Sequence, residues 1–157
     1  MIAFSVNHLF ALPDDNEQSL QIRANSTVFD YKSGVDTYEG NVIMNQGSTR
    51  FTADRLITKK NAKHKIEEAT AYGINNLAEY STIPRAGDIR LIAKAKIIHF
   101  YPPKSTITLE NNVEVTQGEN NFHGEMIVYN IAEQTVTAPA IKNGRATIII
   151  DPKQLKS

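Results

Sequence analysis

The residue types that most often carry chemistry are scattered along this chain. His8, His64, His99 and His123 stand far apart, with neither a His-x-His nor a His-Glu-x-x-His spacing, so no metal site is expected. The absence of cysteine removes thiolate catalysis, disulfides and Cys-based zinc sites, and leaves the redox compartment undecided. No Gly-x-Ser-x-Gly elbow and no glycine-rich phosphate loop occurs. Carboxylates are many but none stands in a catalytic signature. A pair brought together from distant strands, as in a glycosidase, is the enzymatic arrangement left open. No catalytic residue and no cofactor is assigned, and the chain is expected not to be an enzyme. One polar run remains, Lys59-Lys-Asn-Ala-Lys-His-Lys65. Its Lys59, Lys60, Lys63 and Lys65 suit a solvated hairpin loop, or an electrostatic contact to a phosphorylated ligand or acidic partner.

What is left is the chemistry of burial, and the elements that arrange it are strands. Glu39-Gly-Asn-Val-Ile-Met-Asn-Gln-Gly-Ser-Thr-Arg-Phe-Thr-Ala-Asp54 reads as strand, tight turn, strand. Val42 and Met44 share one face, Ile43 and Asn45 the other, which is the period of a pleat. Gln46-Gly47-Ser48 supplies the turn, and Phe51 and Ala53 resume the alternation. The pattern returns in residues 110–125. Residues 23–54 slide onto 94–125 without a gap, at an offset of 71, with nine identities in 32 positions, among them Phe29/Phe100, Asn41/Asn112, Val42/Val113, Gly47/Gly118 and Phe51/Phe122. Chance would give roughly two, so a backbone unit recurs.

The rest of the chain follows the same plan. Ser19–Ala24, Thr27–Tyr31, Val35–Tyr38 and Asp54–Lys60 read as strands, and Ile66–Gly73 as a strand with a turn. A further strand is expected near Leu77–Tyr80, then one from Asp88 to Tyr101 stopped by Pro102-Pro103, then Met126–Ile131, Gln134–Ala138 and Ala146–Ile150. Asn143-Gly144 is a hairpin signal. Many short strands about ten residues apart, with little helix, predict an all-β sandwich, roll or solenoid. At 157 residues this is one domain, assigned to 19–155, behind an apolar stub and linker at 1–18. Met1–Ala11 is too short to span a bilayer. It suits the tail of a signal peptide begun upstream, and equally a frayed strand or linker. Seventeen basic and seventeen acidic residues cancel, so no field draws in nucleic acid.

The run from Glu39 through Gln46-Gly47 to Ala53-Asp54, the Ala71-Tyr-Gly73 step, the second copy through Asn112-Val113 and Gly118, and the closing Ile150-Asp-Pro-Lys-Gln-Leu155 resemble the LptA (OstA-like) family over roughly residues 19–155. The family's members are periplasmic components of bacterial lipopolysaccharide transport. The resemblance implies a folded-over antiparallel β-jellyroll, two facing walls bent like a taco. Acyl chains of lipid A run inside it and sugars stay outside. It implies as partners lipopolysaccharide, inner- and outer-membrane transport components, and further copies joined head to tail into a bridge. The strands near Leu20–Ala24 and Thr147–Ile150 are the expected joining edges. The family member anchored in the inner membrane has a membrane helix before its roll; with no such helix here, the soluble member is expected. Alternation then nominates the groove wall: Leu20, Ile22, Phe29, Val42, Met44 and Phe51 in the first half, Phe100, Leu109, Val113, Val115 and Phe122 in the second. The competing reading is a structural or adhesive β-roll in which the same side chains fill a dry core.

Overall fold

A computed structural model of the chain describes residues 17–130, 133, 135–150 and 152–155; of the stub and linker assigned to 1–18, residues 1–16 lie outside them. The described residues form twelve antiparallel strands and short 3₁₀ turns. In order these are β1 (Gln21–Arg23), β2 (Ser26–Asp30), β3 (Val35–Gln46), β4 (Thr49–Lys60), β5 (Ile66–Tyr72), β6 (Ala78–Thr82), β7 (Leu91–Ala95), β8 (Ile97–Tyr101), β9 (Thr106–Gln117), β10 (Asn120–Asn130), β11 (Thr135–Thr137) and β12 (Thr147–Ile149).

Four strands are long, and each is shared between two walls. The register of β3 on β4 breaks between Glu39 and Val42, where Gly40 and Asn41 take φ of 78° and 47°. The register of β9 on β10 breaks between Gly124 and Met126, beside Asn111 and Asn112 at 64° and 55°. Glycine and asparagine tolerate this left-handed backbone, and such bulges bend a strand. Beyond the bends the halves take different partners. The first wall runs β2, 35–39 of β3, 55–60 of β4, β5, β8, 106–110 of β9, 126–130 of β10, then β11. The second runs β1, 42–46 of β3, 49–53 of β4, β6, β7, 113–117 of β9, 120–124 of β10, then β12. One buried cluster draws Tyr38, Leu56, Ile98 and Leu109 from the first wall and Val42, Phe51, Tyr80 and Val113 from the second, so the walls face each other.

The crease between them is lined by small side chains. Ala53 lies beside Val42, Ala78 beside Ala95, and Gly124 beside Val113, and Ala78 and Ala95 are fully buried. Bulkier Phe51, Tyr80 and Phe100 sit farther from the bends. The loop from β5 to β6 crosses the crease and is held there by Asp54, whose carboxylate accepts the backbone N–H groups of Ile74 and Asn75 at 2.6 Å and Asn76 at 3.2 Å. A side chain at Gly73 would stand 2.3 Å from the Asn76 carbonyl oxygen, so only glycine fits beneath this staple. The Asn75 and Asn76 N–H groups, with a lesser contribution from that of Ile74, hold the Asp54 carboxyl below its ordinary 3.8 against the opposing effect of burial. A lowered folded pKa stabilises the fold above that ordinary value, and the gain is lost as pH falls through the lower one. Asp54→Ala should therefore lower stability at neutral pH, by an amount reduced by the solvent exposure of the site. Urea melts of wild type and variant should converge as the pH is brought below the ordinary aspartate range.

Two expectations need correction. The stretch 88–101 is two strands, because Lys96 lies at the crease, and β7 and β8 belong to different walls. Asn143 does take a left-handed φ of 62° and Gly144 N–H does bond to Ile141 O, but no hairpin results. β11 and β12 each pair with β10, on opposite sides of its bend, so the turn carries the chain from one wall to the other.

Candidate functional site

The inward face of each wall is a set of rows running across the strands. In the second wall one row reads Ile22, Met44, Phe51, Tyr80, Ala93, Val115, Phe122, Ile148. Its middle is buried: Phe51, Tyr80 and Ala93 are 7%, 6% and 2% exposed. Ile22 and Met44 toward one end, and Val115 and Phe122 toward the other, are half-buried, and Ile148 at the last position is 65% exposed. The first wall repeats the gradient. Its row of Phe29, Asp36, Thr58, Ala69, Phe100, Ile107, Tyr129 and Val136 buries Phe100 and Ile107 and exposes Phe29 by 49% and Val136 by 65%. The neighbouring row, Tyr38, Leu56, Ala71, Ile98, Leu109 and Ile127, is buried throughout. The row of the second wall is thus buried in the middle and bare at Ile148, and the outer row of the first wall is bare at Phe29 and Val136, with Asp36 and Thr58 standing between Phe29 and its buried middle.

The polar groups inside lie away from the crease. Asp36 is buried and paired with Lys60, and the neighbouring Thr58 hydroxyl is buried with no hydrogen-bond partner. The Asp36 hydrogen bond raises the Lys60 pKa, while burial, and then the Asp36 charge, raise that of the Tyr38 phenol. A cavity of about 390 Å³ opens beside β9, β10 and β12, but Glu114, His123, Glu125 and Arg145 in its lining make it polar. Among the described residues no His, Asp and Glu cluster could hold a metal, and no helix is long and apolar enough to cross a membrane.

Residues 21–135 match the family model described as LptA/(LptD N-terminal domain) LPS transport protein. The chain belongs to this family. It is 34% identical to the lipopolysaccharide export system protein LptH of Pseudomonas aeruginosa, over 87% of this chain and 74% of that protein. It is 28% identical to LptA of Escherichia coli K12, over 94% of this chain and 78% of the relative. The crystal structure of LptH, the LptA-homologous periplasmic component of the lipopolysaccharide transport device of P. aeruginosa, matches with a TM-score of 0.79 at 29% identity, covering 89% of this chain and 100% of that one. The all-β roll expected from the sequence is thus the LptA fold.

On this LptA-type roll the nominated side chains fall into four environments. Val42 and Val113, each 2% exposed, lie at the crease, and Phe51, Phe100 and Leu109 lie in the sealed middle. Ile22, Met44, Val115 and Phe122 pack against the core while remaining half-buried. Leu20 and Phe29 are exposed at the β1–β2 end. Alternation missed Tyr80, Leu56, Ile98 and Ile127 inside, although Ile98 alternates with its neighbours on β8 in a way that could have revealed it. It also missed the bare Val136 and Ile148 at the other end. Of the four lysines, Lys60 pairs with Asp36 and Lys59 with Glu67 at 3.5 Å, while Lys63 and Lys65 are exposed in a turn held by Asn61.

Proposed function

We propose that this chain carries lipopolysaccharide across the periplasm by sheltering lipid A acyl chains between its two walls, as one link of a head-to-tail bridge from inner- to outer-membrane components of the export machinery. The observation that carries this reading is the exposure gradient along the inward rows: Phe51 and Phe100 are covered, and Phe29, Val136 and Ile148 at the row ends are bare. A single folded unit normally turns such residues inward or replaces them with polar ones. Here Phe29, Val136 and Ile148 stand at the ends of the inward rows, as a conduit prolonged by its neighbours requires, although Asp36 and Thr58 interrupt the row at the Phe29 end. Each buried methylene is worth about 0.8 kcal/mol, so an acyl chain of a dozen carbons strongly resists water and gains by following such a stripe. Half-buried Ile22, Met44, Val115 and Phe122 are the side chains best placed to yield to it, and no covalent step is needed. Exposed Lys63 and Lys65 suit a phosphate or an acidic partner.

Photocrosslinking tests this. A photoreactive residue at Ile22 or Phe122 should capture lipopolysaccharide in cells, one at Leu20 or Phe100 should do so to a lesser or equal extent, and one at outward-facing Thr52 should not. Equal labelling from Thr52 and from the inward sites would leave the roll as a structural or adhesive module.

A further inference from the structure

The inward face of the first wall is interrupted by polar side chains near its β2 end. Asp36 and Thr58 stand opposite each other on β3 and β4, one place in from Phe29. They are 3% and 2% exposed. The Asp36 carboxylate pairs with the ammonium of Lys60, which reaches in from the end of β4 with its side chain 30% exposed. The Thr58 hydroxyl is buried with no hydrogen-bond partner. The Tyr38 phenol lies near enough for both charges to act on it. The repeat shows that the fold does not require these groups. At the offset of 71 residues Asp36 corresponds to Ile107, Thr58 to Tyr129 and Tyr38 to Leu109, and Ile107 stands opposite Tyr129 in the same register. A buried ion pair is often no more stable than an apolar filling of the same volume, and an unmet buried hydroxyl costs stability outright. Packing therefore gives no reason for Asp36 and Thr58 to be polar.

We infer that Asp36, Thr58 and Lys60 form a polar station between the walls that holds a neutral hydrogen-bonding group borne by an acyl chain, a hydroxyl or an amide. This rests on the sheltering reading above and adds to it a point of recognition. The ion pair brings one charge of each sign, so the station is neutral as a whole. It offers an acceptor in the Asp36 carboxylate, donors in the Lys60 ammonium, and in Thr58 a hydroxyl that can do either. A ligand group that both donates and accepts satisfies it, giving a hydrogen bond to Asp36 and taking one from Lys60 or Thr58. A bare hydrocarbon leaves the Thr58 hydroxyl unmet. A phosphate fits poorly, because its charge would be buried beside that of Asp36 while the Lys60 cation is already paired. Phe29, opposite Asp36 on the end strand, is 49% exposed, with its ring edge-on to Tyr38 at 6.0 Å. A chain drawn in from that end meets the station before the buried middle of the row. Beyond it Ala69, Phe100 and Ile107 are apolar, so the station fixes where along this row the polar group of the chain comes to rest.

Displacement of a fluorescent fatty-acyl probe from the full-length chain tests this, with three competitors of one chain length: the methyl ester of β-hydroxymyristic acid, N-methyl myristamide and methyl myristate. Wild type should bind the hydroxy ester, the amide or both about fivefold tighter than methyl myristate, the worth of one net hydrogen bond. A gain for the hydroxy ester alone assigns the station to a hydroxyl on the chain, and a gain for the amide alone assigns it to the linkage. Thr58→Val keeps the shape and the ion pair and should remove most of the gain. Asp36→Ile with Lys60→Met, which copies the apolar second half, should remove all of it while methyl myristate still binds. Thr58→Val should also melt no lower than wild type, since it deletes an unmet hydroxyl. A lower melt would assign the hydroxyl to the fold and overturn the inference, as would a gain that survives in the double variant. Equal binding of all three compounds to wild type sinks the station alone. Binding of none sinks the sheltering reading and the station with it.

Discussion

Val113→Arg is expected to yield no stably folded protein, whatever it does to lipid contact. Val113 is 2% exposed, beside Gly124 and close to where β9 bends between the walls. Its side chain belongs to the buried apolar cluster, and Glu114 and Glu125 line the cavity that it borders. An arginine there either strands a charge among apolar side chains or forces the walls apart. An uncompensated buried charge costs about 3–5 kcal/mol or more, and a domain of this size has only about 5–15 kcal/mol in total. Far-UV circular dichroism on heating should show a melt lowered by ten degrees or more, or none. Phe122→Arg is the informative contrast. Phe122 has the same inward facing but is half-buried toward an end, where a long side chain can carry its charge out to water. That variant should fold and lose photocrosslinked lipopolysaccharide. If Val113→Arg melted like wild type, the crease would have to be looser than its burial indicates.

The two positions differ in a way that alternation cannot report, since it gives the face a residue takes and not how far from the crease it lies. Val42 with Met44, and Val113 with Val115, were legible as inward pairs from the period of two alone. The first of each pair lies by a bend and is sealed, while the second lies beyond it and is half-buried. The bends themselves were written as Gly40-Asn41 and Asn111-Asn112, residues that take left-handed φ without strain. In isolation such pairs read equally as turns within a hairpin. Only pairing shows that one strand continues through them into a second wall. The same ignorance of walls made 88–101 one strand and Asn143-Gly144 a hairpin. The repeat was legible as identities, but its consequence was not. Sequence offset cannot show that β5 and β6 close on β8 and β7, leaving matching edges uncovered at the ends. Lys59 and Lys60 illustrate another limit. A basic run looks uniform, yet the strand registers that bring Asp36 and Glu67 alongside remove two of its charges from easy contact.

Ile148→Asp should abolish end-to-end assembly without harming the fold. In a single copy Ile148 is 65% exposed on the last strand of the second wall, so a carboxylate there stays in water and the melting temperature should hardly change. In the proposed head-to-tail bridge the same position is covered by the first strand of the next copy. The carboxylate would then be buried with no cation to meet it. A penalty of about 3–5 kcal/mol translates into roughly 10²–10⁴-fold weaker association, enough to leave monomers at micromolar concentration. Ile149→Asp is the matched control: the same strand, the same chemistry, about the same exposure at 53%, but an outward face. Sedimentation velocity should show wild type and Ile149→Asp growing with concentration and Ile148→Asp fixed at the mass of one chain. Cells dependent on Ile148→Asp should accumulate lipopolysaccharide at the inner membrane, because a link that shelters acyl chains but cannot be joined leaves the apolar row open to water at each end. Equal assembly of the two aspartate variants would mean that the copies meet through some surface other than these rows, and the sealed-middle, bare-ended pattern would need a different occupant.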